Sequence, residues 1–118
     1  MEKTELEKDV SNLTSLILQS RDIIKTAKGK EECLILAEDI IAANLNIGRH
    51  FILAEQEYEL LKTFLIAEGK SAAASESEAK TKPCYYNFKR TRQLYEMGEE
   101  SIRILKHAGN YWYVQRLT

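Results

Sequence analysis

The sequence predicts an all-α protein, and three observations support that fold class. Apolar residues recur at alternating spacings of four and three over long stretches, which is the pattern of amphipathic helices. The 118 residues include only five glycines and one proline, so few positions interrupt a helix. Alternation of apolar and polar residues, the pattern of a half-buried strand, is scarce. We expect a single helical domain over residues 1–118, since that length is typical of one domain.

The first helix is predicted over residues 5–28. Thr4 and Glu7 have the spacing of a capping box, in which a hydroxyl and a carboxylate satisfy backbone amides at a helix start. An apolar stripe then continues to Ala27, and the sequence Lys-Gly-Lys at 28–30 interrupts it.

The second helix, predicted over residues 31–68, organises the rest of the chain. The positions of its stripe, all but one apolar or aromatic, are Cys33, Ala37, Ile40, Asn44, Ile47, Phe51, Ala54, Tyr58, Leu61 and Leu65. At ~1.5 Å per residue this helix would be about 57 Å long, so it needs neighbours along its length. Gly48 leaves open a division into two shorter helices, although one helical glycine costs only about 1 kcal/mol.

Asn44 is the polar member of that stripe. A buried asparagine can fix the register or the oligomeric state of packed helices. The alternative interpretation is that Asn44 faces a solvated gap, or marks a kink near Asn46 and Gly48. Asn44 is therefore a candidate register residue.

Residues 69–82 are predicted to form a turn and a mobile segment. Gly69 suits the end of the preceding helix, because glycine accepts the left-handed conformation found there. The residues after it are small and polar, with a second possible capping box at Ser75 and Glu78. Since the segment lacks large apolar side chains, burial is not expected to anchor it.

The last helix is predicted over residues 83–108. Pro83 fits a first helical turn, where its missing amide donor does no harm, and Gly109-Asn110 is the expected end. This helix should fold back antiparallel on the second one. The predicted fold is a long antiparallel helical hairpin with an additional N-terminal helix, a three-helix bundle that oligomerisation could complete.

The net charge of −1 hides an uneven distribution along the chain. Residues 31–69 carry two basic and eight acidic side chains, whereas residues 70–118 carry nine basic and five acidic ones. Either the acidic helix packs beside the basic segment, or the basic segment meets an anionic partner.

Several classes of protein are not expected. The charged and polar start has no signal-peptide core behind it, and no uncharged apolar window of ~18 residues would cross a membrane. The two cysteines, Cys33 and Cys84, have no disulfide or metal-site spacing and suggest a reducing compartment. We therefore expect a cytoplasmic protein with no membrane association.

No catalytic, metal or cofactor site is predicted. Gly69-Lys70-Ser71 resembles the end of a phosphate-binding loop, but the glycine required five positions earlier is replaced by Phe64. The two histidines, His50 and His107, have no acidic residue at a ligand spacing. The sequence therefore indicates a protein that is not an enzyme and binds no cofactor.

The segment 80–92 combines cations with aromatic side chains and carries no acid. Cations can neutralise phosphates, and aromatic faces can stack on unpaired bases. The alternative is a solvated basic face above aromatic residues of the core. The possible nucleic-acid contacts are Lys80, Lys82, Tyr85, Tyr86, Lys89, Arg90 and Arg92.

Residues 110–118 form an aromatic tail. Its candidate partner-binding residues are Tyr111, Trp112, Tyr113 and Arg116. Exposed aromatic residues often anchor protein interfaces. The alternative interpretation is that the tail docks on the bundle as a cap.

Four short stretches resemble short, uncharacterised helical proteins of tailed bacteriophages. These stretches are Ala67-Glu68-Gly69-Lys70-Ser71, Glu78-Ala79-Lys80, Tyr86-x-Phe88 and Leu105-Lys106. The resemblance covers about residues 50–107 and concerns turns and helix packing. It implies a helical hairpin and a phage origin, hence the cytoplasm of an infected bacterial cell, and it implies no activity.

These observations favour a small, non-enzymatic phage accessory protein that acts by protein-protein binding, inhibiting or redirecting host machinery. Its partner would be a host or phage protein, and a homo-oligomer is a further expectation. The alternative is a nucleic-acid-binding accessory protein in phage replication or recombination that uses the segment 80–92.

Overall fold

The structure is a computed structural model that describes residues 4–25 and 29–117, with side-chain surroundings for 4–24, 29 and 31–108. This part of the chain is helical and contains no strand. Its helices are α1 (Glu5–Lys25), α2 (Lys30–Ala67), α3 (Ala72–Ala79) and α4 (Pro83–Leu117). The prediction of an all-α protein is confirmed. None of the described helices is long and apolar enough to cross a membrane.

Helix α2 is continuous, and α4 is longer than the sequence indicates. Gly48 does not divide α2, which runs over 38 residues. The expected stop at Gly109-Asn110 is wrong, because α4 continues to Leu117. Both residue types weaken a helix without forbidding its backbone angles. At Gly69, by contrast, the backbone has a φ of 102°, a left-handed conformation that ends the helical run of α2.

Helix α3 occupies part of the segment predicted as a turn. Its N-terminal cap is Ser71, whose side-chain oxygen accepts a hydrogen bond from the Ala74 amide at 3.1 Å. Ser75 therefore lies inside the helix and does not cap it. Ser75 and Ala79 are completely buried, so burial does anchor this segment. Small side chains achieve it because they let the α3 backbone approach α2 closely.

The contacts between α2 and α4 show that these helices run in opposite directions. Along α2, Asn44 contacts Tyr95, Phe51 lies 5.6 Å from Phe88 between ring centroids, and Tyr58 lies 5.1 Å from a residue still earlier in α4, Tyr85. Residues later in α2 thus contact residues earlier in α4, so the two helices are antiparallel.

Helix α1 packs against both long helices over part of their length. Its first turns are joined to α2 by Asp9 and His50 and to α4 by Glu7 and Arg90. The larger core cluster includes Leu13 and other residues of α1. A second cluster lies between α2, α3 and the start of α4, and contains no α1 residue among its members. Helix α1 therefore covers one end of the α2–α4 pair, and α3 covers the other.

Candidate interaction surfaces

The cations of the segment 80–92 have different surroundings, and two of them form ion pairs. Lys80 forms an ion pair with Glu76 at 3.1 Å, and Arg92 forms one with Glu96 at 3.3 Å. Helix α2 packs beside this segment, yet the acids in these ion pairs belong to α3 and α4. The charge distribution along the sequence was consistent with α2 and α4 as neighbours. It did not identify which side chains form ion pairs.

Arg90 is the most enclosed cation of this segment. Its Nη2 atom lies 2.9 Å from Oε1 of Glu7, which links α4 to α1. Its guanidinium group also lies 5.2 Å from the ring centroid of Tyr86, and Nη2 donates a hydrogen bond to Asn87. Arg90 therefore has a structural role, and it is not free to approach a phosphate.

The aromatic residues of the same segment have different environments. Tyr85 is half-buried and packs against Tyr58 and Phe88, whereas Tyr86 is 63% exposed. Lys82 and Lys89 are exposed, and no ion pair of either is found within the described part of the chain. A surface available to an anionic partner is thus reduced to Lys82, Tyr86 and Lys89.

The predicted aromatic tail belongs to α4. The backbone of Tyr111, Trp112, Tyr113 and Arg116 is helical, and their side chains lie outside the described residues. Its two interpretations, a docked cap and an exposed contact surface, both stay predictions.

An apolar groove lies between α1 and α4. It consists of two adjoining cavities of about 330 and 300 Å³, which share Ile17, Arg21, Gln93 and Met97 in their walls. Its exposed apolar residues are Leu18, Ile24, Met97 and Ile104. Since α1 and α4 both pack on the buried side of α2, the groove opens away from α2. No pattern in the sequence indicates this groove, because a groove depends on the distance between two helices.

A second apolar surface lies on the side of α2 that faces solvent. We call it the outer face of α2 and define it by Leu45, Arg49, Ile52, Leu53, Gln56 and Leu60, all exposed. Leu45 and Leu60 are each 69% exposed. A sequence signal for this surface existed: α2 is apolar on two sides, and a helix of that kind needs neighbours on both.

Asn44 lies inside the α2–α4 interface and is only 4% exposed. Its Nδ2 atom donates a hydrogen bond to the Tyr95 carbonyl at 3.2 Å. The interpretation that Asn44 faces a solvated gap is wrong, because the backbone of Gly98 approaches its amide closely. The asparagine contacts its own chain there, and its role in register stays a prediction.

Glu5, Asp9 and His50 form a cluster that the spacing of residues did not indicate. One ligand atom from each lies within 4.8 Å of the other two, so the cluster could offer a metal ion one nitrogen and two oxygens. His50 Nε2 is already 2.8 Å from Asp9 Oδ2, and Glu5 is paired with Arg49 at 3.6 Å. These pairings account for the cluster as a link between α1 and α2.

The two cysteines differ in environment. Cys33 is buried in the larger core cluster, and burial, together with the nearby charge of Glu32, raises the pKa of its thiol. Cys84 is half-buried beside the second cluster. A buried thiol with a raised pKa is a poor nucleophile, because the thiolate is the reactive form.

No protein-family model, curated protein or solved structure matches this chain.

Proposed function

We propose that this protein is a small, non-enzymatic accessory protein that acts by binding another protein through the groove between α1 and α4. The observation that carries the proposal is the exposed apolar lining of that groove. Helical proteins commonly bind an amphipathic helix in such a groove, with the partner's apolar residues as anchors.

The chemistry of the groove walls supports a peptide or helix as occupant. Ile17 and Met97 provide an apolar floor, while Arg21 and Gln93 offer hydrogen-bond donors beside it. Interfaces of this kind combine apolar anchors with a few polar groups that fix orientation. Glu96 and Glu100 line one of the two cavities, and each is already paired with an arginine of α4, so the apolar residues of the groove dominate its recognition.

As part of this proposal, the protein is phage-encoded, and its partner is a host or phage protein of the infected bacterial cell. The helical end of α4 that contains Tyr111 and Trp112 would extend the same contact. The proposed effect is inhibition or redirection of the bound protein.

Site-specific photo-crosslinking tests the proposal. A photoreactive amino acid replaces Leu18 in the groove, and in a matched control it replaces the exposed Ser77 of α3. We expect one protein to be crosslinked from Leu18 in the native cells and not from Ser77. The substitution Met97→Arg should abolish that crosslink while the helical circular dichroism is unchanged. If the same products form from both positions, the groove is not the binding site.

The alternative function is nucleic-acid binding, and the exposure of Tyr86 next to Lys89 favours it. Tyr86 and Lys89 are three residues apart on α4 and therefore share one face, with Lys82 just before that helix. We would expect weak, salt-sensitive binding of single-stranded DNA or RNA that is lost in Tyr86→Ala. A fluorescence anisotropy titration at ~50 mM salt would show it, and absence of binding there would eliminate this function.

A further inference from the structure

The outer face of α2 exposes large apolar side chains that no other part of the described chain covers. Leu45, Ile52, Leu53 and Leu60 are all more than half exposed, and Phe64 lies at the end of the same surface. Single exposed apolar residues are common, but a row of them along one helix marks an interaction surface. The kinds of residue on the outer face of α2, and their order, indicate what kind of molecule would cover it.

We propose that the occupant is a second copy of this chain, and that the outer faces of two α2 helices pack antiparallel in a homodimer. This interface is separate from the groove of the proposed function. A symmetric dimer requires one patch that is complementary to itself. The order of residues on the outer face meets this requirement.

The exposed positions of the outer face are spaced symmetrically about a midpoint between Ile52 and Leu53. In one direction the exposed positions follow at steps of three and four residues, from Leu53 to Gln56 and Leu60; in the other they follow at the same steps, from Ile52 to Arg49 and Leu45. An antiparallel pair centred on this midpoint matches apolar positions with apolar positions. Leu45 meets Leu60 of the second copy, and Ile52 meets its Leu53.

The polar residues of the face fit the same pairing. Arg49 is the charged residue among the six that define the face, and it meets Gln56 of the second copy. The amide oxygen of Gln56 can accept a hydrogen bond from Arg49, while Arg49 keeps its ion pair with Glu5 of its own chain. This arrangement gives two symmetric polar contacts, and antiparallel packing keeps like-charged arginines apart. A parallel pair would place each Arg49 beside its own counterpart.

The size of the face is sufficient for a dimer of moderate affinity. From Leu45 to Leu60 the helix rises about 23 Å, and its diameter with side chains is about 10 Å. With Phe64 and Ala42 at its ends, the strip has the size of a single two-helix contact and would bury less than the ~1,200–2,000 Å² of stable interfaces, as weak and reversible complexes do. We therefore expect association at micromolar concentrations.

The dimer would leave both grooves accessible. The groove between α1 and α4 opens away from α2, so pairing through α2 places one groove on each outer side of the dimer. Two binding sites held in one particle raise the apparent affinity for a partner that carries two copies of the recognised helix.

Sedimentation velocity tests the interface over protein concentrations from about 1 to 100 μM, the range set by the expected affinity. The native chain should change from the 13.6 kDa monomer to a particle of twice that mass. The variant Leu53→Glu should stay monomeric throughout. The matched control Leu18→Glu, on the groove, should dimerise like the native chain. A native chain that is monomeric at the highest concentration, or an Leu53→Glu variant that still dimerises, overturns the proposal.

Disulfide crosslinking tests the antiparallel direction in a Cys33→Ala, Cys84→Ser background. In the Leu53→Cys variant the two introduced thiols lie near the symmetry axis, and a covalent dimer should form rapidly. In the Leu60→Cys variant each thiol faces Leu45 of the other copy, so crosslinking should be at least about tenfold slower, because a disulfide needs Cα atoms within ~7 Å. Equal rates in the two variants would contradict the antiparallel arrangement.

Discussion

Asn44 of α2 occupies the space that a side chain would need at Gly98 of α4. A Cβ atom added at Gly98 would collide with the Asn44 amide. Four residues along α2, Gly48 faces the ring of Tyr95 in the same way, since a Cβ atom there would lie 3.0 Å from Cε2 of the tyrosine. Each long helix thus contributes a glycine that accommodates a larger residue of the other, and this reciprocal fit sets the distance between them.

We expect Gly98→Ala to destabilise the protein by about 1–3 kcal/mol, because overpacking in this rigid contact exceeds the gain of about 1 kcal/mol in helix propensity. Urea denaturation followed by circular dichroism measures the change. The double variant Asn44→Ala/Gly98→Ala should recover part of the loss, because the alanine Cβ then has room. A higher stability for the single variant than for the native chain would show that the contact is loose.

The Glu7–Arg90 ion pair should stabilise the docking of α1 on α4 by about 0.5–1 kcal/mol in a double-mutant cycle, the upper part of the range for partly exposed pairs. Arg90 is enclosed on one side, so its coupling to Glu7 should decrease only partly when salt is raised. The matched control is Glu100–Arg103, a pair within α4 whose side chains are both well exposed. A coupling for Glu7–Arg90 no larger than that of the control would contradict this role.

Cys33 should react with iodoacetamide on the order of 100-fold more slowly than Cys84 in the native protein, because it is buried and burial raises the pKa of its thiol. Mass spectrometry at pH 8 measures the labelling with time. Both cysteines should react at similar rates in concentrated urea. The variant Cys84→Ser, which retains Cys33 alone, should stay unlabelled until it unfolds; rapid native labelling of this variant would contradict the described burial.

Glu78 provides a pH-dependent contact between α3 and the turn before it. Lys70 Nζ lies 2.8 Å from Glu78 Oε1, and this hydrogen bond lowers the pKa of the Glu78 carboxyl. Because the pKa is lower in the folded state, the contact stabilises the fold fully above the unfolded pKa, and this contribution is lost as the pH falls through the folded pKa.

The substitution Lys70→Ala should raise the pKa of Glu78 toward its ordinary value, and NMR titration of the side-chain carboxyl carbon measures it. Lys82→Ala is the control, because Lys82 acts on Glu78 only through its charge. Lys82→Ala should raise the pKa of Glu78 by less than Lys70→Ala does. If both substitutions raise the pKa equally, the hydrogen bond is not the main cause.

The periodicity of the sequence was a reliable guide to the buried sides of the helices. In α2, stripe positions such as Ile40, Ile47 and Tyr58 are buried, and Phe51 and Leu61 are half-buried. In α4, Thr91 and Leu105, which are fourteen residues apart and therefore share one side of the helix, are also buried. These positions follow from the geometry of one helix, so one sequence suffices to find them.

Features that depend on how helices rotate and approach each other could not be predicted. The contacts of Asp9 with His50 and of Glu7 with Arg90 join residues more than forty positions apart in the chain, and no local pattern identifies such partners. The anchoring of α3 was missed for another reason. It depends on small residues, Ser75 and Ala79, whose burial has no hydrophobic signal in the sequence.

The unequal lengths of α1 and α2, 21 and 38 residues, give the two ends of the molecule different resistance to local unfolding. Near Asn44 three helices enclose the core, whereas near Tyr58 the short helix α3 replaces α1 as the cover. Hydrogen exchange by mass spectrometry should therefore show α3 and the adjoining turns exchanging before the middle of α2. Opening at the α3 end would leave the groove between α1 and α4 and the centre of the outer face intact.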